Sequence, residues 1–260
     1  MTTDLLILTI YFICVGYVLY QMALSLERRY EDQIEIHLES DPLQTDVTQQ
    51  LTNQGKANQI KAEVVAANPK SPKSRSLVLS LLSPINNRPP TGSIALQILP
   101  QGKKPLQPPL KTLNVQLANR SPNMQVYVDW DRCSMTRMQG QTERVIRQIP
   151  GMPLDLLQPQ VFSVVNPGQM LNAQIAAESA FNRNTETQLL EAKADLINFE
   201  AIVQLPDIVP KTYTLGLLVW LKQITEDDAQ AVRLLIPFNF KMEVLRDEPA
   251  FPPLKWLLSR

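Results

Sequence analysis

The apolar positions change their spacing along the chain, and the changes divide it into four parts. Leu5 to Leu26 is a run of 22 residues without charge, bounded by Asp4 and Glu27. As a helix it would measure about 33 Å, enough for a hydrocarbon core of about 30 Å. Leu5, Leu6, Ile7, Ile10, Phe12, Val15, Val18 and Leu19 supply its apolar surface, and Tyr17, Tyr20 and Tyr30 lie toward one end, where amphipathic rings favour the headgroup level. Residues 1–27 are therefore expected to be a membrane anchor. A cleaved signal peptide is the competing reading, since Ala23-Leu24-Ser25 meets the small-residue rule for cleavage. Against it, no Lys or Arg precedes the run, Asp4 is acidic, and the run is long for a signal peptide.

Residues 28–75 have no sustained period and are rich in Gln, Asn and Thr. The first part, through about Glu39, continues the preceding helix in an acceptable way. Asn68 to Arg75 (NPKSPKSR) has the composition of an extended linker. The expectation is a polar stalk with some helix and no core of its own.

From Ser76 the period is two. Leu77 to Leu82 is an apolar run closed by Pro84. Ile94, Leu96 and Ile98 alternate with more polar neighbours, as do Leu113, Val115 and Leu117, and then Met124, Val126, Val128 and Trp130. Val232, Leu234, Ile236, Phe238, Phe240, Met242 and Val244 form the longest alternation, with Arg233, Asn239, Lys241 and Glu243 on the other face. Tyr213 to Lys222 (YTLGLLVWLK) is almost continuously apolar, as a central strand should be. Residues 185–205 fit helix or strand. Twenty-one prolines against 8 glycines, placed between such runs, favour strands and loops. The pattern predicts a mainly β chain: an antiparallel immunoglobulin-like β-sandwich over residues 76–248, elaborated or doubled because the segment exceeds one minimal unit, behind one N-terminal transmembrane helix. Residues 249–260 are an apolar tail.

Leu113 to Ser134 reads LNVQLANRSPNMQVYVDWDRCS. It resembles bacterial immunoglobulin-like envelope domains, in which a strand ends in Asn-x-Ser, a short turn follows and the next strand reads apolar-x-apolar-Asp-Trp. Asn166-Pro-Gly168 resembles the Pro-Gly that opens a later strand in those domains. Domains of the late-embryogenesis-abundant type share a similar hairpin. The resemblance implies the sandwich and carries no active site. In composition, the Gln-rich body behind one anchor is also similar to single-pass membrane proteins of cyanobacteria.

Charge is neutral in total, with 25 basic and 25 acidic residues, but uneven along the chain. Residues 27–55 hold seven acids against Arg28 and Arg29, whereas 56–120 hold ten basic residues against Glu63 alone. Arg28 and Arg29 follow the apolar run and no basic residue precedes it, which places the body in the cytoplasm. With Cys14 in the anchor, Cys133 has no partner for a disulfide, which suits a reducing compartment. The basic block offers Lys70, Lys73, Arg75, Lys103 and Lys104 as lipid or partner contacts, joined by Phe251 and Trp256 in the tail. No aromatic residues are interleaved with these lysines, so nucleic acid is not expected.

Candidate chemistry is sparse. One histidine and two cysteines exclude most His/Cys metal sites and most histidine-based catalysis. Asp129 and Asp131 flank Trp130 and are expected about 7 Å apart on one sheet face. Such a pair can bind a cation or serve acid–base chemistry, but a solvated strand end paired with Arg132 or Arg137 explains it as well. Trp130 reads as a core anchor, Cys133 as a small, partly buried residue, His37 as an exposed titrating group between Glu35 and Glu39, and Glu226-Asp227-Asp228 as a solvated hairpin tip. No phosphate-cradling loop or nucleophile elbow is present. The expected function is a membrane-anchored, non-catalytic binding or assembly module with a protein partner. No cofactor, metal or small-molecule substrate is indicated. The alternatives are a peripheral lipid-contacting domain, and a cation site or enzyme at Asp129/Asp131.

Overall fold

The computed structural model describes residues 2–30, 33–68, 71–83, 89–101, 110–138, 140–150, 154–156, 158–185, 190–206 and 208–245. The chain divides into two compact units, one of residues 1–34 with 244–260 and one of residues 35–243.

The first unit contains helix α1 (Thr2–Tyr30). Thr9 and Gln21, polar side chains among its described residues, are satisfied within the helix. Thr9 donates to the Leu5 carbonyl at 2.8 Å, and Gln21 donates to the Tyr17 hydroxyl at 3.1 Å. Leu5, Ile7, Ile10, Phe12, Val18 and Leu19 are exposed and Val15 is half-buried. The Leu6 side chain lies outside the described residues. Among the described residues no helix is long and apolar enough to cross a membrane.

The second unit is mainly β. In chain order its elements are β1 (Gln33–Leu38), α2 (Ser40–Asn53), β2 (Ile60–Asn68), β3 (Ser71–Leu81), β4 (Gly92–Leu99), β5 (Leu113–Asn119) and β6 (Met124–Val128). A 3₁₀ turn over Trp130–Arg132 follows, then β7 (Ser134–Thr136), β8 (Thr142–Gln148), β9 (Ser163–Val165) and β10 (Met170–Ala177). The chain continues through β11 (Phe181–Arg183), β12 (Leu190–Ala192), α3 (Phe199–Gln204), β13 (Thr212–Gln223) and β14 (Val232–Leu245). Twelve strands make one curled sheet in the order β1-β14-β13-β7-β8-β10-β5-β4-β3-β2, with β6 also on β13 and β9 on β6. β11 and β12 form a separate pair.

The sheet follows from the period-two pattern. On β5 the alternate residues Leu113, Val115 and Leu117 are buried, and on β4 so are Ile94, Leu96 and Ile98. On β14 Val232 through Met242 point inward at every second position, as the sequence requires. β13 is long enough to hold two short strands along one edge. Thr214–Gly216 pair with β7 and Val219–Gln223 pair with β6. Between them the Asp129 amide donates to the Leu218 carbonyl at 3.0 Å, and the 3₁₀ turn drops Trp130 into the core.

The Asn-x-Ser turn singled out in the sequence is a buried hydrogen-bonded corner. Asn119 Nδ2 donates to the Met124 and Val165 carbonyls at 2.7 and 2.9 Å, and its Oδ1 accepts from the Ser121 hydroxyl at 2.6 Å. Gly92 packs against this corner so closely that a Cβ there would lie 2.7 Å from Ser121 Cα. Gly168, with φ +77, makes the turn into β10, and its amide donates to the Asn119 carbonyl at 2.8 Å.

The expected polar stalk is not a stalk. Within residues 28–75 lie β1, α2, β2 and the start of β3, so the sheet begins well before Ser76. α2 buries Leu43, Val47 and Leu51, spaced four residues apart on one face. Its glutamines serve the backbone. Gln50 donates to the Leu235 carbonyl at 2.7 Å and accepts from the Leu235 amide at 2.9 Å. Gln54 does the same for Arg233, at 2.8 and 3.2 Å. Gln44 accepts from the Val64 amide of β2 at 3.4 Å. Two sheet edges thus find substitute amide partners on one helix, which is why a Gln-rich segment folds here. In the ambiguous 185–205 stretch the structure has the short β12 and α3, the latter capped by Asn198 accepting from the Ala201 amide at 3.1 Å.

Candidate functional site

The outward face of β13 is the part of the sheet that its sequence explains least well as solvated surface. Strand register sets Val164 beside Tyr127, Tyr127 beside Trp220, and Trp220 beside Arg233, in one row across β9, β6, β13 and β14. The next rows pair Leu218 with Leu235 and Gly216 with Pro237. Leu235 is 49% exposed, Val164 44% and the neighbouring Phe162 41%. Trp220 is gripped at the centre. The Arg233 guanidinium lies 4.6 Å from its ring centroid and the Phe162 ring 5.3 Å away at 54°. The Trp220 indole nitrogen is buried and has no hydrogen-bond partner among the described residues. Polar groups fringe this face: Tyr127 donates to Gln125 at 2.9 Å, and Gln125 donates to Asn166 at 2.8 Å. The expectation that YTLGLLVWLK is a central strand is met for hydrogen bonding but not for burial, because one of its faces is only half-covered.

Asp129 and Asp131 do not form a pair on one face. They sit either side of Trp130 at the 3₁₀ turn and meet different partners. Asp129 is 5% exposed, with Arg132 Nε 3.6 Å from its carboxylate. Asp131 pairs with Arg144 and also accepts from the Gln160 amide at 2.9 Å, while Arg144 reaches the Leu156 carbonyl at 3.0 Å. Asp131 thereby ties the turn to β8 and to the segment before β9, whereas Asp129 is paired within the turn. Arg137, the other expected partner, pairs instead with Glu143, which also takes the Ser179 hydroxyl. Burial alone would raise the Glu143 carboxyl; the Ser179 and Arg137 hydrogen bonds outweigh it and hold the group below the usual range. Among the described residues no three His, Cys, Asp or Glu side chains are placed to hold a metal.

Trp130 is a core anchor, fully buried and donating to the Ser163 hydroxyl at 2.9 Å. Cys133 is buried too, and burial pushes its thiol up to about 12. His37 is less exposed than expected. Its Nε2 lies 3.5 Å from Glu35 and 3.8 Å from Glu243, and Glu35 is itself buried with Lys73 Nζ at 2.5 Å. Lys73 is therefore committed to an ion pair, and of the basic contacts considered above only Arg75 remains described with an exposed side chain and no charged partner. Lys70, Lys103, Lys104, Phe251 and Trp256 lie outside the described residues. Glu226 to Asp228 fall in the β13–β14 connection, where Lys222 pairs with Asp228.

The Tyr127–Trp220–Arg233 row was not singled out in the sequence. A signal for it existed: Leu218 and Trp220 share a strand face with Thr214, and the residues across the ladder from Trp220 and Thr214, Arg233 and Asn239, mark that face as outward. Comparison with models of known families gives no match, and comparisons with curated proteins and with solved structures give none either.

Proposed function

We propose that this chain is a membrane-tethered, non-catalytic assembly module. In this reading an immunoglobulin-like sandwich presents the outward face of β14, β13, β6 and β9 to a protein partner. The observation that carries it is β13 itself. A strand apolar on both sides is normally covered on both sides, and here Leu218 and Trp220 lie on the half-covered side, beside Leu235, Val164 and Phe162. An apolar patch with a central tryptophan and arginine, fringed by amides, has the composition of a docking face.

The immunoglobulin-like reading is supported by the Asn119–Ser121 corner and the Gly168 turn, both at the positions where the sequence resembles such domains. The tether is supported by the 22 uncharged residues Leu5 to Leu26 and by α1, whose large apolar side chains are exposed. Arg28 and Arg29 favour a cytoplasmic body.

The test is affinity purification of the full chain in mild detergent, wild type against Leu235→Asp. Leu235 is exposed, so the substitution leaves the fold and its melting temperature intact while removing a specific co-purifying protein. Unchanged recovery of that protein would refute the docking face. Deleting residues 1–26 and finding the product still in the membrane fraction would refute the tether.

A further inference from the structure

At one end of the curled sheet a cavity of about 410 Å³ opens between the loops, within the size range of small-molecule sites. Its floor is core: Ile60, Leu81, Met124, Leu221 and Val232 line it, and each is buried. Its rim is polar, with Lys56, Gln59, Asn123, Gln223 and Glu226 around the opening. The rim is preformed by backbone bonds between neighbouring loops. The Leu82 amide donates to the Gln59 carbonyl at 2.8 Å, and the Ile224 amide donates to the Asn123 carbonyl at 3.1 Å. None of these five rim side chains makes a side-chain hydrogen bond or ion pair among the described residues. Three amides, one cation and one anion thus converge over an apolar floor, uncommitted to one another.

We infer that this cavity binds a small amphiphile whose apolar chain lies on the floor at the end of the curled sheet and whose head group is zwitterionic. The charge balance selects the head: Lys56 offers a cation and Glu226 an anion, so a purely anionic or purely cationic head meets one like charge for each opposite one. The amides of Gln59, Asn123 and Gln223 supply donors and acceptors to either end of a zwitterion. The site is separate from the docking face, because Leu221 and Val232 point to the opposite side of the sheet from Trp220 and Arg233.

The experiment uses the full chain in nanodiscs and decanoyl carnitine carrying a photoactivatable diazirine in its chain, with diazirine-bearing decanoate as the anionic comparison. Peptide mass spectrometry locates the adducts. The expected result is labelling at Ile60, Met124 and Leu221, favouring the zwitterion over the anion. Glu226→Lys should shift the preference toward decanoate by about fivefold, the scale of an exposed charge pair. The double exchange Lys56→Glu with Glu226→Lys should restore it. Adducts only outside the cavity, or a preference indifferent to Glu226→Lys, would overturn the proposal. Failure of the chain to enter nanodiscs would instead overturn the tether, and cavity labelling remains readable for the chain in solution.

Discussion

The glutamine clamp of α2 allows a sharp test, because two chemically identical residues sit one position apart with different duties. Gln50 makes two hydrogen bonds to the backbone of Leu235, whereas Gln49 is exposed and makes no side-chain hydrogen bond among the described residues. A net hydrogen bond contributes about 0.5–1.5 kcal/mol, and these are solvent-accessible, so the lower half of that range applies. Gln50→Ala should therefore cost about 1–2 kcal/mol locally, and Gln49→Ala should fall within about 0.5 kcal/mol of wild type. Gln54→Ala should match Gln50→Ala in size, acting at Arg233. Hydrogen exchange resolves this by residue: a loss of 1.4 kcal/mol speeds exchange about tenfold. The Leu235 amide should be affected in Gln50→Ala and the Arg233 amide in Gln54→Ala, with amides of β5 unchanged. The unclamped edge should also raise self-association, since it exposes unpaired strand groups. Equal exchange at Leu235 in Gln49→Ala and Gln50→Ala would refute the reasoning that α2 acts as a surrogate strand.

Other outcomes follow from single contacts. Asn119→Ala removes three buried hydrogen bonds, two from its amide to the Met124 and Val165 carbonyls and one from the Ser121 hydroxyl to its oxygen, and should cost about 3 kcal/mol by urea denaturation. Gly92→Ala forces a Cβ against the backbone of Ser121 and should cost about 1–3 kcal/mol in the same assay. Cys133 should resist iodoacetamide at pH 8 in the folded chain and react on unfolding, because burial keeps it a thiol. Its raised folded value also sets a sign: the stability it contributes is complete below pH 9.0 and is lost as pH rises toward about 12. For Glu143 the folded value is lowered, so its contribution is present above the ordinary 4.5 and is lost as pH falls through the folded value. Glu143→Gln should flatten that acid limb.

Sequence alone determined the strands whose periodicity is strict. β4, β5, β6 and β14 lie where alternation placed them, since a half-buried strand needs one apolar residue in every two and little else reads that way. Trp130 was legible as core for the same local reason, as the next inward position after Val128. What tertiary structure decided are the features whose partners are far away in sequence. The polar segment before Ser76 gave no sign of folding because its apolar stripe is only Leu43, Val47 and Leu51, and because its glutamines find their acceptors about 180 residues later on β14. The aspartates flanking Trp130 looked like a pair until a 3₁₀ turn rotated them toward different arginines. A continuous apolar strand likewise cannot state how many of its faces will be covered, since cover is supplied by other elements or by another molecule. Local periodicity fixes which side of a residue is apolar, and only long-range pairing fixes what that side meets.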